Sequence, residues 1–202
     1  FPIMPLLRIE RLGEDATLGL WTLTEEERFF FDNYPCLHSF RKEIDTIGSK
    51  QRRMEKLATR ALLIEMTKNT ELTIEHDGNG KPLVKGYYVS ISHTKGLVAL
   101  MLSTTREVAV DVEYDSDRVS RIAHKFVNTN ETMPTNAHLL LAWCAKETIY
   151  KYFSSDNLLS SDIYLQPFKV EENGIIVGRN LKRNLLVSAR YSRFNGFTMV
   201  YI

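Results

Sequence analysis

Two carboxylates stand one residue apart in the stretch Val108-Ala109-Val110-Asp111-Val112-Glu113. In a strand, residues i and i+2 share a face, about 7 Å apart along the backbone. Asp111 and Glu113 therefore project together, and Val108, Val110 and Val112 are expected in the core on the other face. Side-by-side carboxylates repel. A hard divalent cation relieves the repulsion, and Mg²⁺ takes a few carboxylates together with waters and phosphate oxygens. The plainer alternative is a strand edge with two solvated acids. The run Asp111, Glu113, Asp115, Asp117 is not a calcium loop, because Ser116 and Ile122 stand where such a loop needs Gly and Glu.

Trp143, Glu147 and Lys151 are four residues apart, so on a helix they share one face. Glu147 and Lys151 could be an ordinary surface ion pair. With the indole on the same stripe, the face is instead expected to pack against something, adding a third carboxylate to a cation site and a lysine for phosphate. Ser90-Ile91-Ser92-His93-Thr94 invites a hydrolase reading, but neighbouring strand residues point to opposite faces, so Ser92 and His93 cannot be a nucleophile and its base. At a strand end both could bind phosphate oxygens. Gly80-Lys81-Pro82 lacks the spacing of a phosphate-binding loop.

These residues need a scaffold. Thr24 and Glu27 have capping-box spacing and predict a helix from Glu25, ended by Pro35. Apolar residues at Met54, Leu57, Ala61 and Ile64 predict a helix over about Ser49 to Lys68, with Arg53, Lys56 and Arg60 along one edge. Asp77-Gly78-Asn79-Gly80 is a turn. Strands are expected at Tyr87 to Ser92, Gly96 to Ser103 and Glu107 to Tyr114, and helices at Ile122 to Phe126 and His138 to Phe153. Further strands follow at Ile163 to Val170, Gly174 to Val177, Leu185 to Tyr191 and Phe197 to Ile202. Phe1 to Trp21 reads as short strands and turns. The order gives an α+β class, with two halves, 1–104 and 105–202, the second carrying the acids.

Composition excludes much else. Hydrophobic residues make up 44% of the 202 and charged residues 25%, too apolar for a disordered or low-complexity chain. The net charge is +1, too small for a general nucleic-acid binder. Charge is unevenly placed, however. Arg41 to Arg60 holds seven basic residues against three acidic, and Asn173 to Ile202 holds no acid. Either stretch could attract an acidic partner surface. Cys36 and Cys144 are far apart, which fits a reducing compartment and no disulfide framework. No run approaches the roughly 18 apolar residues of a membrane span, and no signal segment is visible, so a cytoplasmic location is expected.

The motifs in order are Gly80-Lys81-Pro82, Ser90-Ile91-Ser92-His93-Thr94, Val110-Asp111-Val112-Glu113 and Trp143-x-x-Lys146-Glu147-x-x-x-Lys151. That series resembles the 4′-phosphopantetheinyl transferase superfamily. Arg52 to Leu63 is similar to the helix before the first motif, and Phe126 to Glu131 to the stretch before the Trp-containing helix; together they cover roughly residues 20 to 153. The length resembles the longer, surfactin-synthetase type, which implies a monomer whose two similar halves form an intramolecular pseudo-dimer. The resemblance implies that coenzyme A donates its 4′-phosphopantetheine arm to a serine of an apo carrier protein, releasing adenosine 3′,5′-bisphosphate. It also implies Mg²⁺, with Mn²⁺ open, held by Asp111, Glu113 and Glu147. Glu147 would be the leading candidate for the serine proton, and Lys151 would neutralise phosphate charge. Arg60, Lys81, Ser92 and His93 would bind the pyrophosphate or the 3′-phosphate, while Lys146 ranks below its neighbour. Ala109 and Thr148 depart from the usual Gly and Ala. A metal-dependent nuclease or phosphohydrolase is the rival reading, opposed by Asp115, which stands where such nucleases commonly place a Lys. A non-catalytic binding module is opposed by the intact charged positions.

Overall fold

The computed structural model describes residues 8–202. Helix and strand are nearly balanced, at 34% and 32%, and within each sheet the neighbouring strands run antiparallel. Both points agree with the expected α+β class. The chain divides into two compact units, residues up to Glu107 and Val108–Ile202. Of the opening stretch expected as short strands, residues 1–7 lie outside the described residues.

The first unit runs β1 (Arg8–Leu12), β2 (Ala16–Thr22), α1 (Glu27–Asn33), a 3₁₀ turn (Pro35–Phe40), α2 (Arg41–Asp45), α3 (Lys50–Thr67), a two-residue pair β3 (Glu75–His76) and β4 (Pro82–Leu83), then β5 (Tyr88–Thr94) and β6 (Leu97–Ser103). Its main sheet has the order β1-β2-β6-β5. Helix α3 starts where Ser49 caps it, the hydroxyl accepting from the Arg52 amide at 3.4 Å. Its apolar stripe buries Met54, Leu57, Ala58, Ala61 and Leu62 against Val98, Leu100 and Leu102 of β6. Each of those fully buried leucines contributes about 1.5–3 kcal/mol. The approach is close enough that a Cβ on Gly19 of β2 would stand 2.5 Å from Met66 Sδ.

The capping box expected at Thr24 and Glu27 does not form. Helix α1 starts at Glu27 without a side-chain cap. Glu25 instead accepts from Trp21 Nε1 at 3.2 Å and from the Thr24 amide at 3.0 Å. Glu27 pairs with Arg53 at 2.7 Å. A charge-assisted bond to a distant arginine outcompetes a local bond to the backbone.

The second unit runs β7 (Val110–Tyr114), α4 (Arg118–Ile122), a 3₁₀ turn (Ala123–Lys125), α5 (Asn136–Tyr152), two more 3₁₀ turns, β8 (Ile163–Leu165), β9 (Asn173–Asn180), β10 (Leu185–Phe194) and β11 (Phe197–Tyr201). The sheet order is β7-β11-β10-β9-β8. Several boundaries differ from expectation, and three of them have a clear physical reason or consequence. Helix α4 sits one turn earlier than Ile122 to Phe126, with Val119 buried and Phe126 left to a turn. Strand β8 stops at Leu165, before Pro167, which has no amide to donate. Strand β9 runs on to Asn180, its buried side chain donating to Asp156 at 2.7 Å.

Helix α5 lies on this sheet as α3 lies on the other, again over a strand glycine. A Cβ at Gly178 of β9 would stand 2.3 Å from Ile149 Cδ1, and Ile149 is fully buried. Among the described residues no helix is long and apolar enough to cross a membrane. Gly178→Ala should destabilise the protein by about 1–3 kcal/mol through overpacking, read as a lower urea midpoint by circular dichroism. An unchanged midpoint would mean that Ile149 can swing aside.

Candidate functional site

Strand β7 pairs with β11, with Asp111 opposite Val200 and Glu113 opposite Thr198. The alternation expected from the sequence places the two carboxylates on one face, yet that face is not open water. Asp111 is 6% exposed. Helix α5 covers it, seated on β11 by Thr148, whose hydroxyl donates to the Cys144 and Val200 carbonyls at 2.7 and 3.1 Å. Thr148 is thereby accommodated without an unsatisfied hydroxyl. Ala109 is likewise fully buried, with its carbonyl accepting from the Ile202 amide at 2.9 Å.

The stripe Trp143–Glu147–Lys151 faces this strand. Trp143 Nε1 donates to Glu113 Oε1 at 3.2 Å, and its ring meets Phe126 edge-on at 5.2 Å. Lys151 Nζ donates to Asp111 Oδ1 at 2.8 Å and to the Val110 carbonyl at 3.0 Å. Two turns of helix thus span two residues of strand, and Glu147, one turn from each contact, lies between them. Arg118 reaches Glu113 at 3.4 Å. Lys151 is therefore engaged with Asp111, rather than forming a simple surface pair with Glu147.

Charge follows this geometry. Burial pushes the Glu147 carboxyl above the usual range, the negative charge of Asp111 pushes it further, Lys151 opposes, and Glu113 adds to the rise. Burial and the same two acids hold the Cys144 thiol well above its ordinary value, so it stays protonated. The three carboxylates share one electrostatic field. Among the described residues they do not form a ready-made cluster of three that could hold a metal ion; the Lys151 ammonium lies against Asp111.

Lys146 belongs elsewhere. Its side chain is 2% exposed, and its ammonium donates to the Phe126 carbonyl at 2.6 Å, to Glu131 at 2.9 Å and to the Ser160 carbonyl at 3.3 Å. Glu131 also accepts from the Asn128 and Leu165 amides at 2.8 and 2.7 Å. Burial lowers the Lys146 ammonium, and Glu131 offsets part of that. The pair ties the stretch before α5 and the end of β8 to the helix carrying Glu147.

The phosphate-binding candidates of the first unit are only partly gathered. Arg60 and His93 line one cavity of about 430 Å³ with Glu43, Arg52, Lys56 and His76. Lys81 is not in its lining and pairs with Glu107 at 3.2 Å. Ser92 is buried and His93 exposed, on opposite faces of β5 as alternation requires. His93 Nδ1 meets Glu55 at 3.2 Å. The cationic edge of α3 is Arg52, Lys56 and Arg60, spaced by four, rather than the expected Arg53, Lys56 and Arg60. Arg53 turns to Glu27 and the Ile47 carbonyl. Helical spacing allowed either set, since offsets of three and four are both neighbours.

The basic stretches are largely compensated. Lys182 pairs with Asp162 at 3.4 Å, Arg183 with Asp156, and Arg193 with Asp115 at 3.8 Å. In the other stretch, Arg41 faces Asp45 at 3.8 Å, and Lys56 and Arg60 share Glu43. Local composition overstates both as cationic surfaces. Comparison with protein-family models and with curated proteins returned no match.

Lys146→Met should destabilise the protein by about 3–5 kcal/mol, because it strands the buried Glu131 charge. Adding Glu131→Gln should recover much of that loss, since the amide oxygen can still accept a backbone bond. Urea denaturation of the two variants checks this, and equal midpoints for both would overturn it.

Proposed function

We propose that the chain transfers the 4′-phosphopantetheine arm of coenzyme A to a serine of an apo carrier protein and releases adenosine 3′,5′-bisphosphate. The observation that carries this reading is the meeting of the two motifs 30 to 40 residues apart: Trp143 on Glu113 and Lys151 on Asp111, with Glu147 between. A surface-pair origin of either motif would not require that meeting. The ordered resemblance of the four motifs supports the same reading, and with it an intramolecular pseudo-dimer of two similar halves.

Asp111, Glu113 and Glu147 fit a hard divalent cation by donor type. All three offer carboxylate oxygens, and a cation would relieve the repulsion that Asp111 and Glu113 add to the burial of Glu147. Bound there, Mg²⁺ or Mn²⁺ would withdraw charge from the pyrophosphate as a Lewis acid.

The chain's own groups do the rest. The serine oxygen attacks the β-phosphorus, a new P–O bond forms, and the bond to the bisphosphate breaks. Glu147 is the leading candidate to take the serine proton, directly or through a water, because it stands between the Asp111 and Glu113 contacts of its helix. Lys151, already oriented by Asp111 and the Val110 carbonyl, neutralises charge on the leaving phosphate. Arg60 and His93, in their shared cavity, hold the 3′-phosphate.

Incubation with coenzyme A, Mg²⁺ and a panel of apo carriers should add the mass of the arm to at least one carrier. Asp111→Asn and Glu147→Gln should each reduce transfer about 100-fold or more, with melting temperature as the check on folding. Full turnover by Asp111→Asn would overturn the assignment. Cleavage of DNA with Mg²⁺ and indifference to coenzyme A would favour a nuclease instead.

A further inference from the structure

The cavity of the first unit contains its own anion. Glu43, on the short helix α2, accepts from Lys56 Nζ at 3.0 Å and from Arg60 at 2.8 and 3.1 Å. The two partners differ in freedom. The Arg60 side chain is 11% exposed, and its guanidinium lies 4.4 Å over the Phe40 ring. The Glu43 side chain is 44% exposed. Arg60 is therefore fixed, while Glu43 can rotate into water.

The bonding is also incomplete. Arg60 Nε is buried and has no hydrogen-bond partner among the described residues. A carboxylate has two oxygens and one charge. A phosphomonoester has three free oxygens and a charge of about −1.5 to −2 at neutral pH. It can meet the edge of the guanidinium that Glu43 leaves unsatisfied as well as the ammonium of Lys56. The lining already balances three cations, Arg52, Lys56 and Arg60, against the carboxylates Glu43 and Glu55, and includes His76 and His93. With Glu43 in place, an incoming dianion meets a nearly neutral site. With Glu43 rotated out, it meets an excess of positive charge.

We infer that Glu43 is a built-in counter-anion of this cavity, displaced from Lys56 and Arg60 when a phosphomonoester dianion enters. This rests on the coenzyme A reading only for the natural source of the phosphate. Glu43 then sets specificity: a singly charged or neutral group gains too little to replace it, whereas a dianion gains both charge and an extra acceptor.

Calorimetric titration with adenosine 3′-phosphate and with adenosine tests this on the full chain. Glu43→Gln should bind adenosine 3′-phosphate about tenfold tighter than the natural chain, with adenosine unchanged. Glu43→Ala, which cannot keep Lys56 bonded, should show the same gain. If both variants bind the phosphate equally or more weakly, Glu43 orients the cations instead and the inference falls. It also falls if no chain binds the phosphate, or if adenosine gains as much. If the phosphate affinity rises as stated but no carrier is ever modified, the transferase reading fails and the inference stands. If carriers are modified and neither variant gains affinity, the inference alone fails.

Discussion

The ion pair between Lys151 and Asp111 is the interaction on which the second unit depends. A carboxylate on a strand buried beneath a helix is costly unless a partner compensates it. Lys151 reaches Asp111 at 2.8 Å from the last turn of α5 and gives a second bond to the Val110 carbonyl. Two turns earlier Trp143 does the corresponding work for Glu113. These two contacts fix both the azimuth and the direction of the helix on the strand. Glu147 is placed by them, where burial first and the neighbouring carboxylates second disfavour its charged form. The electrostatic tension of the site is thus a consequence of packing.

A similar construction recurs with opposite charge in the first unit. Helix α3 packs closely over Gly19, as α5 packs over Gly178, and each helix turns a charged edge away from its apolar stripe. On α3 that edge is Arg52, Lys56 and Arg60. Its charge is held in check by Glu43, as the charge on β7 is held by Lys151 and Arg118. In both units the compensating group comes from a different element and is more exposed than the group it compensates: Glu43 against Arg60, Lys151 against Asp111. Such pairs compensate a charge that packing would otherwise leave buried and unpaired.

Much of this was legible beforehand. The period of Met54, Leu57 and Ala61 marked α3, and Ser49 marked its start within a residue. The alternation of Val110, Asp111, Val112 and Glu113 placed the valines in the core. The failures share one cause. Thr24 and Glu27 had capping spacing, but Arg53, 26 residues away, claimed Glu27. The acid-free C-terminal stretch suggested a cationic surface, but Asp115, Asp156 and Asp162 fold back onto it. In each case a charge was assigned by its neighbours in the chain and taken up by one far from them.

By itself, the sequence determined which residues share a face: Asp111 with Glu113 on a strand, and Trp143 with Glu147 and Lys151 on a helix. Those relations follow from backbone periods that act over a few residues. Only the tertiary structure decided that the helix face lies on the strand face, that Lys146 serves Glu131, and that Glu43 occupies the cations of α3. These pairings join residues 13 to 40 positions apart. Over such separations no local period operates, and the outcome is set by which charges the packed core brings within a hydrogen bond of one another.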